Sequence, residues 1–248
     1  MDSTQNPNKA LWEKGDFTRL ADTMRDSGEK LVAQLGVKPG MKVLDLGCGD
    51  GTTAIPEAQA GATVRGVDIA RNLVEAGRRR ATALGIANIT FEEGDASHLD
   101  GIADDSFDLT VSIFGAMFAP RPFDVARQMV RVTRPGGRVV VIDATPTAGT
   151  QAAYDRMETL RDPSHASALT LEQLRALGRE AGLTETVLDF HRLDARLQAL
   201  ADAADMAALT ALFDADIASG EDRIGVQARR DADGIVFRFP ISIIAWTK

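Results

Sequence analysis

Cysteine is almost absent: Cys48 is the only one in 248 residues. That excludes an internal disulfide and any zinc site built from clustered thiolates, and it points to a cytoplasmic protein. Basic charge is also in deficit. Twenty-eight Lys and Arg stand against 36 Asp and Glu, a formal net charge of −8. A surface of that sign repels phosphate backbones, so no nucleic-acid partner is expected. The one basic triplet, Arg78-Arg79-Arg80, points in different directions on a helix and reads as a solvated face. No apolar run approaches the roughly 20 residues that span a bilayer, so no stable membrane insertion is expected either. The leading residues MDSTQNPNKALWEKGD are polar and acidic, unlike a secretory leader. Residues 1–8 carry no apolar pattern and are expected to be mobile. Repeats, low-complexity tracts and a clear linker are missing, which makes residues 1–248 one domain.

What is present is organised around VLDLGCGDG, Val43 to Gly51. Val43, Leu44 and Leu46 make a short buried strand, and Gly47, Gly49 and Gly51 make a turn that lets a ligand approach the backbone. A strand entering a glycine turn and then a helix opens a nucleotide-binding α/β unit. The unit repeats. Strands are expected at Lys42–Leu46, Thr63–Val67, Ile89–Glu93, Phe107–Phe114 and Val139–Ile142, with helices near 52–60, 71–84 and 122–133 between them. Pro135-Gly136-Gly137 reads as a tight turn before the fifth strand. Apolar residues at helical spacing from Leu11 to Leu35 predict one or two N-terminal helices. In the tail, helices are expected near 150–161, 171–181 and 195–218, and strands at Thr184–Leu193 and Gly234–Trp246. The fold class is therefore α/β, a doubly wound, mostly parallel sheet. Residues 1–40 would form a helical lid, 41–146 the binding core, and 147–248 the acceptor-side helices and last two strands.

Ligands of open α/β sheets bind at the carboxyl ends of the strands. There the sequence puts Asp45, Asp68 and Asp95, one on each of the first three strands. A carboxylate ending the second strand can accept two bonds from ribose hydroxyls. The glycine spacing is G-x-G-x-G, whereas the dinucleotide fingerprint is G-x-G-x-x-G. Asp50 sits inside the turn and would oppose a diphosphate, so the site reads as one for a nucleoside without phosphates and with a positive charge.

VLDLGCGDG resembles the first motif of class I S-adenosylmethionine-dependent methyltransferases. VRGVDIA at 64–70, EEGDA at 92–96, FDLTVSIFGAMF at 107–118 and RVTRPGGRVVVIDA at 131–144 resemble their next motifs in order. The likeness is to the small-molecule branch that includes ubiquinone and menaquinone methyltransferases. It implies a Rossmann-like seven-stranded sheet with an antiparallel last strand and a helical cap, and S-adenosyl-L-methionine as cofactor, converted to S-adenosyl-L-homocysteine. It also implies roles. Asp45, Gly47, Cys48 and Gly49 would meet the methionine part, Asp68 the ribose, and Ile69 the adenine face. Gly94, Asp95 and Ala96 would take the adenine edge, and Ser112, Ile113 and Phe114 the ammonium. Arg19 or Lys14 would neutralise the methionine carboxylate. The Asn/Asp-Pro-Pro-aromatic motif of amino methyltransferases is replaced by Ser112-Ile113-Phe114-Gly115, which argues against a DNA substrate.

A hydroxyl acceptor would need a general base. Of His98, His165 and His191, the resemblance puts His165 in the region that covers the acceptor, and it is the candidate. Trp12, Phe17, Met117, Phe118, Met157 and the only tyrosine, Tyr154, are the candidate acceptor wall. No metal is expected. The partner would be a small apolar or aromatic acceptor, taken by a monomer or homodimer. Two other classes remain open: a cofactor-binding protein without transferase activity, and an NAD-dependent oxidoreductase. The choice among O-, N- and C-transfer is open as well.

Overall fold

A computed structural model describes every residue except 1–5, 14–17, 19–20, 23, 116–117 and 202–203. The expectations placed on Lys14, Phe17, Arg19 and Met117 lie outside the described residues.

In chain order the helices are α1 (Lys9–Trp12), α2 (Arg25–Leu35), α3 (Ala54–Gln59), α4 (Arg71–Ala83), α5 (Pro122–Val132), α6 (Gln151–Arg161), α7 (Leu171–Glu180), α8 (Leu197–Leu200) and α9 (Met206–Ser219). The strands are β1 (Lys42–Leu46), β2 (Thr63–Asp68), β3 (Ile89–Glu93), β4 (Phe107–Ile113), β5 (Thr133–Ala144), β6 (Thr184–Arg196), β7 (Arg229–Asp231) and β8 (Gly234–Thr247). They form one sheet in the order β3-β2-β1-β4-β5-β8-β6. Strands β1 to β5 are parallel, and β8 runs antiparallel to both β5 and β6.

Alternate side chains of each strand enter opposite cores, as the period of two requires. Val43, Val64, Leu109, Val140 and Ile142 pack with α2, α3, α6 and α9 on one face. Leu44, Leu46, Val67, Val139 and Val141 pack with α5 and α7 on the other. Gly36 ends α2 in the left-handed region, a conformation that suits glycine. The order reverses between β1 and β4, so their carboxyl-end loops part and leave a crevice.

Three expectations need correction and a fourth needs an addition. The sheet has eight strands, because β7 forms a short hairpin with β8. Strand β6 runs to Arg196, and the helix expected at 195–218 is split into α8 and α9. Pro135-Gly136-Gly137 lies within β5 as a bulge: Phe107 pairs with Thr133 but Leu109 with Arg138. The basic triplet is exposed at Arg78 and Arg79, as a solvated face requires, but two of its members are also anchored. Arg78 donates to the Phe91 carbonyl, and Arg80 to the carbonyl of Asp50. Among the described residues no helix is long and apolar enough to cross a membrane.

Candidate functional site

The crevice is floored by the loop after β1. Gly47 has φ +72°, and a Cβ there would lie 2.8 Å from the Cα of Gly115. The loops after β1 and β4 thus meet backbone to backbone, which only glycines allow. On the β4 side Ser112 is buried, Ile113 and Phe114 are half-buried, and Phe114 is left-handed at φ +54°. A bulky residue held there is a strained feature that clusters at functional sites.

Four amides of this loop are committed within the protein. Gly47 and Cys48 donate to the Val67 carbonyl at 2.8 and 3.3 Å, and Gly51 to the Cys48 carbonyl at 2.9 Å. Gly49 donates to Asp68 Oδ2 at 2.8 Å. A phosphate-binding loop needs its amides free for the anion. Here the Gly47, Cys48, Gly49 and Gly51 amides are not free, which suits a cationic group better than a diphosphate.

Asp50 does not carry that argument. It is buried, with Arg25 bonded to both its carboxylate oxygens and Arg80 at 3.4 Å. Its charge is matched inside the protein and does not reach the crevice.

Asp68 is 8% exposed. Ala70 N–H donates to its Oδ1 at 2.9 Å and Gly49 N–H to its Oδ2 at 2.8 Å. Burial raises its pKa, and the main-chain bonds oppose that. With Ile69 as a further main-chain donor, the carboxylate still has acceptor capacity left for a hydroxyl. Ile69 is half-buried beside it. Asp95 is half-buried, as are Gly94 and Ala96, and holds Ser97 N–H and Oγ on Oδ1 at 2.8 and 2.5 Å. It is a turn residue, and both bonds leave its second oxygen to other partners. Asp68→Ala is expected to leave two amides unpaired and lower stability by about 2 kcal/mol. Thermal denaturation checks this, and Asp95→Ala should show a smaller loss.

Beneath the loop lies a buried acid cluster. Asp45 is 1% exposed and accepts from Thr53 Oγ1 at 2.7 Å. Burial pushes its pKa up to about 7, against the Thr53 bond and with help from the Asp68 charge. Glu57, on α3, is fully buried, and among the described residues neither carboxylate oxygen has a hydrogen-bond partner. Burial and the neighbouring Asp45 push its pKa well up. The Cys48 side chain packs in the core against Gly66, and burial pushes its thiol pKa well up. A role for Cys48 at the crevice would therefore fall to its main chain.

Helix α1 lies across the crevice. Lys9 pairs with Glu93 at the end of β3, and Glu13 Oε1 accepts from Arg71 N–H at 3.3 Å. Next to Lys9, Nδ2 of the N-cap residue Asn8 donates to the carbonyls of Phe118 and Ser164 at 2.9 and 2.8 Å. Asn8, expected in a mobile tail, is instead a tether. Trp12 meets Phe118 edge-on at 4.7 Å, and Phe118 meets His165 at 6.3 Å.

His165 is carried by the turn after α6. Asp162 Oδ1 accepts from Ser164 N–H and Oγ, and His165 N–H donates to the Asp162 carbonyl at 3.0 Å. Its Nε2 lies 2.7 Å from Asp155 Oδ1. Its Nδ1 is buried and has no hydrogen-bond partner among the described residues. Tyr154 and Met157 are fully buried in the core. The Tyr154 hydroxyl is likewise unpartnered among the described residues, its pKa raised by burial and by Glu158. His98 is exposed, 3.5 Å from Arg121, and His191 lies on β6, away from this group. Among the described residues no cluster of three or more His, Cys, Asp or Glu is arranged to hold a metal ion.

Sequence reasoning missed Asn8, Lys9, Glu13, Glu57 and Asp155. Glu57 had a signal, a lone charge among the apolar residues 54–58. The others depend on contacts far along the chain and had none.

Residues 37–189 match the model of a family described as a methyltransferase domain. The chain belongs to this methyltransferase family. The chain is similar to the uncharacterized protein Rv1405c of Mycobacterium tuberculosis, 36% identical over 178 residues, 71% of this chain and 63% of that protein. It is similar to demethylmenaquinone methyltransferase of Paenarthrobacter aurescens, 39% identical over 113 residues, 46% of this chain and 42% of that protein. The chain thus spans less than two thirds of the length of either relative. The YcgJ protein of Bacillus subtilis superposes with a TM-score of 0.81 at 22% identity, over 90% of this chain and 98% of that one. That superposition bears out the α/β, Rossmann-like fold class expected from the motifs.

Proposed function

We propose that the protein transfers a methyl group from S-adenosyl-L-methionine to a hydroxyl of a small apolar or aromatic molecule, in the cytoplasm. The observation that carries the choice of donor is the closed loop after β1. Its amides at Gly47, Cys48, Gly49 and Gly51 are spent internally, so it favours an ammonium and a sulfonium over a diphosphate. The same loop disfavours an NAD-dependent oxidoreductase.

The donor brings an activated methyl group. Asp68 would accept the ribose hydroxyls, Ile69 would pack on the adenine, and Asp95 with the Ala96 amide would bind its edge. Gly47 and the main chain at Ser112 to Phe114 would hold the ammonium. Helix α1 is the lid: tethered at Glu93 and at Ser164, it excludes water while the acceptor is aligned.

The acceptor would rest on Trp12 and Phe118. His165 is the general base. With Asp155 accepting from Nε2–H, the tautomer leaves the Nδ1 lone pair to take the acceptor proton as the C–S bond breaks and the O–C bond forms. Glu158, paired with Arg161 at 2.5 Å, lies on α6 behind that wall.

Isothermal titration with S-adenosyl-L-methionine, S-adenosyl-L-homocysteine and NAD tests the donor. Binding of the first two and not the third is expected, and the reverse would overturn the reading. Incubation with labelled donor and a panel of phenols, quinols, amines and acids tests the acceptor. Label in hydroxyl compounds is expected. Tight donor binding without any transfer would favour a cofactor-binding protein that lacks transferase activity.

A further inference from the structure

We infer that two copies of this chain associate through β6, edge to edge, to extend the sheet across a two-fold axis centred on Phe190. Strand β6 is the last in the sheet. Val187 is 48% exposed, Leu188 38% and Phe190 50%. These three are the only clustered members of the large exposed hydrophobics among the described residues. Strand β6 is long, and between the charged Glu185 and Arg192 it carries this exposed apolar cluster, which makes its edge a template for pairing.

The ladder shows which groups face outward. Thr145 N–H donates to the Pro240 carbonyl, and Thr145 continues the β5–β8 register. The even-numbered residues of β8 therefore direct their main-chain groups to β5 and the odd-numbered ones to β6. The β8 residues Ile241, Ile243 and Ala245 pair with His191, Asp189 and Val187. Leu188, Phe190 and Arg192 then direct N–H and C=O away from the sheet. The Phe190 N–H agrees: it points away from the sheet to the carboxylate of its own neighbour, Asp189, at 2.8 Å, a bond that pairing with a second copy would exchange for a main-chain one.

Self-complementarity names the occupant. With Phe190 opposite its own copy, each Leu188 faces an Arg192, and about six main-chain hydrogen bonds form across the axis. Asp189 falls opposite His191 on both sides, and Val187 opposite Leu193. Within one chain Asp189 and His191 already approach at 3.7 Å, so the same two side chains meet again across the axis. Centring on Asp189 or Arg192 would instead oppose like charges. A single strand buries less than the roughly 800 Å² per partner of a standard interface, so the dimer should be reversible, with Kd in the micromolar range.

Sedimentation of the full chain over a concentration series from about 1 to about 200 µM tests this, since it spans that range of Kd. A concentration-dependent dimer is expected. Phe190→Lys should weaken it about tenfold or more, with circular dichroism unchanged because the side chain is half exposed. Phe190→Cys should form an intermolecular disulfide under mild oxidation, the other thiol, Cys48, being buried. A monomer throughout overturns the inference. So does a dimer that survives Phe190→Lys and is not cross-linked through the introduced thiol.

Discussion

His165→Ala is expected to lower kcat by about 10²- to 10⁴-fold, the range that one positioned general base supplies. The titrated affinity for S-adenosyl-L-methionine should stay unchanged, because His165 is set apart from Asp68 and the β1 loop, with Phe118 between it and Trp12, on the side where the proposed acceptor would rest. The loss should appear equally in kcat and kcat/KM, since proton removal belongs to the transition state alone. Asp155→Asn separates base from scaffold. Asp155 Oδ1 also accepts from Ala168 N–H at 2.8 Å, so an amide at 155 keeps its oxygen toward both donors and leaves the tautomer in place. It removes the negative charge that would stabilise the imidazolium, so Asp155→Asn should lower kcat by less than His165→Ala. The His165 side chain is wholly buried, so a destabilised variant must be recognised. Thermal denaturation of each variant, with cofactor titration, does so. If His165→Ala folds, binds donor and still turns over at the native rate, the acceptor arrives without a proton to lose. O-transfer would then give way to transfer onto an amine or an ionised group.

The core of this site was legible because it is local. Strand, glycine turn and helix follow one another within 43–60, and the acidic residues end consecutive strands. Periodicity placed β1 to β5 within a residue or two, apart from the bulge that draws the Pro-Gly-Gly turn into β5. The tail was harder. Strand β6 continues past Leu193 because Asp194, Ala195 and Arg196 still find partners on β8 at Arg238, Phe237 and Val236. Composition alone, with Ala and Leu following at once, argued for helix. Asp50 shows a second limit. A carboxylate inside a glycine turn was read as facing the ligand, but Arg25 and Arg80 arrive from other helices and turn it inward. Conversely, nothing in the spacing of Asp155 and His165 marks them as a pair. Their contact depends on the Asp162-Pro163-Ser164 turn folding back on α6.

Stability is expected to fall as pH rises from about 4 to about 8, and Glu57→Gln should flatten that decline. The sign follows from Asp45 and Glu57, whose folded-state pKa values are raised by burial. Between its unfolded value of 3.8 and its folded value of about 7, Asp45 holds a proton that the unfolded chain has released. Folding thus takes up protons across that window, and each step up in pH favours the unfolded chain. A shift of that size corresponds to something on the order of 4 kcal/mol lost by pH 8. Glu57 extends the loss to higher pH. The opposing groups, Glu93, Glu185, Asp214 and Asp231, have lowered values from ion pairs with Lys9, Arg175, Arg230 and Arg196. They lie at the surface, and their stabilisation is lost only as pH falls through the carboxylate range. Glu57→Gln keeps the shape of the side chain and removes its charge and its repulsion of Asp45. Urea denaturation at pH 5, 6.5 and 8 should show little gain at pH 5 and about 1–3 kcal/mol at pH 8. An equal effect at all three pH values would mean that Glu57 reaches water in the folded state and that the acid cluster under the loop is not closed.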